Sequence, residues 1–169
     1  FAFGDEIEKI KSEIISLKEP LAEDTSIVLK FDNEKVKSNI KNVKVDKKYV
    51  ISVVDDDFYI LEFMATLLST QQNYEVFTYE NGKLFIQDLE NNTPDLVFLD
   101  LMMPEMNGFQ VLKYINDRHF EIPVIVVTAL LQKEMIIRAQ KFGVKGYLSK
   151  PLKVEQVIKK AEEVLKIDF

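Results

Sequence analysis

A short apolar run that ends on a carboxylate, Val97-Phe98-Leu99-Asp100, has Pro94-Asp95 before it and Pro104 and Asn107-Gly108 after it. Runs of this length between turn signals read as buried strands, which places Asp100 at the carboxyl end of a central strand. In open parallel α/β sheets that edge is where ligands bind. Other runs end in the same way: Tyr49 to Val54 on Asp55-Asp56-Asp57, Pro123 to Val127 on Thr128-Ala129, and Gly146 to Ser149 on Lys150-Pro151. If these strands are parallel, one edge gathers several carboxylates, a hydroxyl and an ammonium.

The stretches between the runs carry helical periodicity. From Phe58 to Thr70 the residues Ile60, Leu61, Met64, Leu67 and Leu68 form one stripe. Tyr74 to Tyr79 reads as a second strand, and Asn81-Gly82 opens a helix through Leu84, Phe85 and Leu89. Val111, Leu112 and Ile115 follow Gly108, a further helix is expected from Leu131 to Phe142, and Val154, Val157, Ile158, Ala161 and Leu165 line the last one. Five strand-then-helix units call for a parallel sheet covered on both faces, a doubly wound α/β fold. Asn107-Gly108 is expected to supply a turn with positive φ.

At 169 residues the chain suits one domain and an appendage. It has no cysteine, hence no disulfide framework and no thiolate metal site. It has no uncharged apolar run long enough for a transmembrane helix and no signal-peptide pattern, so a soluble cytoplasmic protein is expected. It opens on Phe1 rather than Met, as a trimmed or partial chain would. The formal charge of −6 falls entirely on residues 49–169, since residues 1–48 hold 10 lysines and 10 acids. No basic face suited to a phosphate backbone is visible, so no direct nucleic-acid contact is expected.

Within residues 1–24, Phe3, Ile7, Ile10, Ile14, Leu17 and Leu21 are spaced as a heptad seam, interrupted at Pro20. So short a helix must pack on something, either its own domain, an upstream one or a second copy in a homodimer. Residues 25–48, rich in lysine and asparagine from Asp32 onward, read as a linker or small extension.

Residues 49–169 closely resemble the receiver domain of two-component response regulators. The matching motifs are Val53-Val54-Asp55-Asp56-Asp57, Asp100 through Gly108 with Met103-Pro104, Val126-Val127-Thr128-Ala129, and Lys145-Gly146-Tyr147-Leu148-Ser149-Lys150-Pro151. The resemblance implies a flavodoxin-like strand order, 2-1-3-4-5. It implies that Asp100 accepts a phosphoryl group from a histidine kinase or phosphotransfer protein. Asp56 and Asp100 would be Mg²⁺ ligands with the backbone carbonyl of Met102, and Asp55 would act mainly through water. Thr128 would bond the phosphoryl oxygen, Lys150 would pair with the phosphate, and Tyr147 would change rotamer with Thr128, shifting a surface read by a downstream protein. Self-phosphorylation from small donors and slow self-dephosphorylation are implied too.

The chemistry is coherent by itself, because phosphoryl transfer needs positioning and neutralisation of charge rather than covalent work. Crowded carboxylates would raise one another's pKa; a hard divalent cation and a lysine reverse that. Each residue also has a plain structural reading. Asp100 could cap a loop, and Asp55-Asp56 could cap the first helix, a role that Asp57 or Phe58 suits better. Thr128 could be an ordinary strand residue, Lys150 a surface charge, and Tyr147 a packing aromatic. His119, the single histidine, reads as an exposed loop residue. A cis Lys150-Pro151 bond, aiming Lys150 inward, is a working hypothesis.

Other functions are conceivable on this fold. One is a constitutive interaction module that is never phosphorylated; another is the receiver part of a larger hybrid kinase. A metal-dependent hydrolase would want a second acid two residues after Asp100, where Met102 stands, and a flavin protein would want a phosphate loop after the first strand. No DNA-binding helix-turn-helix pattern is present, so output is expected through partners, through residues 1–48, or through a missing part of a longer chain.

Overall fold

The computed structural model describes residues 47–130 and 132–165. The heptad-spaced stretch of 1–24 and nearly all of the 25–48 extension lie outside the described residues. Five units follow one another: β1 (Tyr49–Val54) and α1 (Phe58–Ser69), β2 (Tyr74–Tyr79) and α2 (Gly82–Leu89), β3 (Leu96–Asp100) and α3 (Gly108–Asp117), β4 (Val124–Thr128) and α4 (Lys133–Gln140), β5 (Gly146–Ser149) and α5 (Val154–Leu165). Every strand pairing is parallel, and the sheet order is β2-β1-β3-β4-β5. The doubly wound fold and its strand order are therefore as expected.

The strands are apolar without alternation because both faces of the sheet are covered. All residues of β3 and β4 are buried, the pattern of central parallel strands. Their side chains alternate between two cores. Val97, Leu99, Val124 and Val126 pack with Phe85 and Leu89 of α2, with Val111, Leu112 and Ile115 of α3 and with Ala139 of α4. Leu96, Phe98, Ile125 and Val127 pack with Leu61, Met64 and Leu68 of α1 and with Val157 and Ala161 of α5. Each fully buried Leu, Ile or Phe contributes about 1.5–3 kcal/mol relative to exposure, so the two layers together stabilise the strands whose ends carry the charged residues.

Helix starts are set by short polar side chains. Asp57 accepts the Tyr59 N–H at 2.9 Å, and Asn81 accepts that of Leu84 at 2.9 Å. Asn107 and Gln110 cap α3 reciprocally: the Asn107 side chain accepts from Gln110 N, and the Gln110 side chain accepts from Asn107 N. Two expectations need correction here. The left-handed residue of the loop after β3 is Glu105 (φ 59°), whereas Asn107 has φ −74° as the cap of α3. Gly108 is required for space instead: a Cβ there would lie 2.3 Å from the Asp100 carbonyl oxygen and 2.7 Å from Leu101 Cα. Helix α4 is also shorter than the periodicity suggested. Gln132 enters it extended and without a side-chain cap, and the tight turns Phe142 N–H to Ala139 O and Gly143 N–H to Gln140 O follow it.

Candidate functional site

The loops after β1, β3 and β5 bring four charged side chains together. Asp55 leaves the end of β1 buried, and its Oδ1 accepts the Asp57 N–H at 2.9 Å, which turns the chain into α1. Asp56 beside it is exposed. Asp100 ends β3, buried, with its Oδ1 accepting the Met102 N–H at 2.9 Å. Lys150 follows β5, its own N–H held by the Thr128 carbonyl at 3.0 Å. From there its Nζ lies 2.7 Å from Asp100 Oδ2 and 2.8 Å from Asp55 Oδ2. The Lys150–Pro151 peptide bond is cis.

Carboxylate oxygens of Asp55, Asp56 and Asp100 lie within 4.8 Å of one another. Asp55 Oδ2 meets the lysine ammonium without hydrogen-bond geometry, which leaves a buried acceptor open. A hard oxygen-seeking cation fits this donor set, with room on the exposed Asp56 side for waters.

Electrostatics follow from burial. Desolvation raises the Asp55 carboxyl above its usual value, outweighing the Lys150 ammonium and the Asp57 N–H that favour the anion; Asp100 adds only a small further push. Burial, rather than crowding of carboxylates as the sequence suggested, is thus the main cause. Burial would lower the Lys150 ammonium, but its pairing with the Asp100 and Asp55 carboxylates prevails and raises it. It stays a fixed positive charge between two carboxylates.

Thr128, fully buried, closes β4 one residue beyond Val127, the register partner of Asp100. Its Oγ1 accepts the Leu130 N–H at 3.3 Å. Tyr147 stands opposite Val126 in β5, and its hydroxyl donates to the Ile136 carbonyl of α4 at 3.1 Å. Met102 touches the site through its backbone, while its side chain is exposed. His119 is exposed with φ 57°, in the loop after α3.

Residues 51–162 match the family described as the response regulator receiver domain. The chain belongs to this family. Among relatives, the transcriptional regulatory protein YdfI of Bacillus subtilis is 33% identical over 59% of this chain and 47% of its own length. The nisin biosynthesis regulatory protein NisR of Lactococcus lactis is 36% identical over 70% of this chain and 51% of its own. The chain thus spans about half the length of these two relatives. Among solved structures, a Francisella response regulator receiver domain aligns with a TM-score of 0.66 at 28% identity, covering 70% of this chain and 98% of that one.

The residues expected at the site stand at different removes from Asp100. Lys150 bonds it, carboxylate oxygens of Asp55 and Asp56 lie within 4.8 Å of its own, Thr128 lies one residue beyond its register partner, and Tyr147 is engaged with α4. Sequence reasoning read Gly108 as a turn residue and missed its steric role: the missing side chain lets α3 start against the Asp100 carbonyl. It also passed over the Asn107–Gln110 cap, although Asn-x-x-Gln before an apolar run was a readable signal.

Proposed function

We propose that this receiver is a phosphorylation-dependent switch in which Asp100 takes a phosphoryl group from the phosphohistidine of a kinase or phosphotransfer protein. The observation that carries the reading is the ammonium of Lys150 at 2.7 Å from Asp100 Oδ2, with Asp55 and Asp56 alongside. An Asp100 oxygen attacks phosphorus, the P–N bond to the donor imidazole breaks, and the imidazole leaves with the electron pair. Asp55, Asp56, Asp100 and the Met102 carbonyl would hold Mg²⁺. When bound, that ion supplies Lewis-acid neutralisation of charge on the phosphoryl oxygens. Lys150 keeps a permanent positive charge beside the nucleophile and pairs with the arriving phosphoryl group as a point charge. The Thr128 hydroxyl, now bonded only to Leu130 N–H among the described residues, turns to donate to a phosphoryl oxygen. Tyr147 then exchanges its bond to α4 for a new position, and the surface of α4 and β5 changes for a downstream protein.

The domain covers residues 49–169, with residues 1–24 and 25–48 as its extension, and the heptad seam is the candidate homodimer contact. A cytoplasmic site of action suits a chain whose described helices are all too short or too polar to cross a membrane. The receiver itself is assigned no DNA contact.

Intact mass after incubation with acetyl phosphate, with and without Mg²⁺, tests the reading. A phosphoryl adduct that needs Mg²⁺ and vanishes in Asp100→Asn is the expected result. An adduct retained by Asp100→Asn would reject Asp100 as the acceptor. No adduct from acetyl phosphate or from a phosphorylated histidine donor would point to a constitutive module.

A further inference from the structure

We propose that the groove between the β3–α3 loop and α4 binds a small amphiphilic carboxylate, an apolar body with one anionic head. The groove has a volume of about 480 Å³, within the range of ligand pockets rather than of packing defects. Its walls are thioethers and hydrocarbon: Met102 and Met103 from the loop, Met135 from α4, with Leu101 and the Phe109 ring beneath. Methionine walls adapt to the shape of an apolar guest, so the groove selects by polarity more than by outline.

The head group is chosen by charge. Arg138 of α4 lines the groove with its guanidinium 4.1 Å from the centre of the Phe109 ring, which orients the cation without neutralising it. It pairs with no carboxylate among the described residues, whereas the chain's other arginine, Arg118, meets Glu90 at 3.6 Å. Asn107, also on the groove, spends its Oδ1 on the cap of α3 and keeps its amide N–H₂ without an acceptor among the described residues. A planar guanidinium and an amide donor beside an apolar trough suit a carboxylate and repel an amine.

The loop that forms one wall is the loop that follows Asp100, and the Met102 N–H bonds Asp100 Oδ1. A ligand seated there therefore leans on the segment that positions the acceptor. The binding itself requires no phosphorylation, so this site and the phosphorylation reading can fail separately.

The test uses the full chain with methyl-labelled methionine, which places reporters at all five methionines, and phenylbutyrate as the probe. Titration to about 10 mM is expected to saturate, as a weak ligand of millimolar affinity would. The methyls of Met102, Met103 and Met135 should shift, and that of Met64, on the buried side of α1 in the core of the other sheet face, should stay. Arg138→Gln, a change at an exposed position, should weaken binding about tenfold, and phenylbutylamine should not bind. Equal binding of acid and amine, equal affinity in Arg138→Gln, shifts centred on Met64, or no shift at all would overturn the proposal. Adduct formation by acetyl phosphate, measured on the same sample, reports separately on the receiver chemistry.

Discussion

At the scale of single residues, the site depends on one cation shared by two buried anions. Lys150 reaches Asp100 and Asp55 at hydrogen-bond distance while exposing little of its own side chain. Removing one partner of such a cluster leaves buried charge uncompensated, so Lys150→Ala is expected to cost about 3 kcal/mol of folding stability. Urea denaturation would show it, and added Mg²⁺ should restore more stability to the variant than to the parent, because a divalent ion replaces the missing charge. Gly108→Ala introduces a methyl that cannot coexist with the Asp100 carbonyl. The expected loss is about 2–4 kcal/mol, as for overpacking against backbone that cannot retreat, with acetyl phosphate labelling reduced because Asp100 is displaced. Labelling at the parent rate in a well-folded Gly108→Ala protein would show that the close approach is not what positions Asp100.

At the scale of elements, helix α3 begins where the acceptor loop ends, and its start is set by the Asn107–Gln110 box. Asn107→Ala should cost about 1 kcal/mol, the usual price of a lost cap, with the denaturant slope unchanged because the surface buried stays the same. Strand β2 meets helix α2 through a polar contact: the Tyr79 hydroxyl donates to Asp88 Oδ2 at 2.6 Å. Burial, together with that bond to a carboxylate, pushes the Tyr79 phenol up to about 12; burial raises Tyr74 to about 12 as well. Both folded-state values lie above the ordinary tyrosine value. Their contribution to stability is therefore complete below about pH 10 and is lost as pH rises through about 12. Absorbance titration at the phenolate band should show Tyr74 and Tyr79 ionising late, with Tyr147, also raised by burial, displaced in the same direction, and the urea midpoint falling over the same interval. In Tyr79→Phe one of the late ionisations should disappear.

At the scale of the whole molecule, the alternation of apolar runs with amphipathic stretches was enough to set the parallel, doubly covered sheet. Continuous short runs of Val, Ile, Leu and Phe bury all their side chains best as central strands between two helical layers. Topology then carries Asp55, Asp100, Thr128 and Lys150 to one edge, since every parallel strand ends there, and this is why those residues were legible from motif and position. The local chemistry of caps was legible as well, at Asp57 and in the unread Asn107–Gln110 pair. What the chain alone could not express were distances between segments far apart in sequence. The Lys150–Asp100 bond spans 50 residues, and only folding shows that the same ammonium also reaches Asp55, or that desolvation dominates the Asp55 carboxyl. Gly108 was read as a turn residue because φ preference is a local property, while the steric demand that requires it comes from the backbone of β3. The groove beneath α4, with Arg138 over Phe109, likewise exists only once two distant helices and a loop are brought together. Pattern along the chain determined the layers and the edge at which chemistry gathers; tertiary packing decided which charges touch, how deeply they are buried, and where space is left.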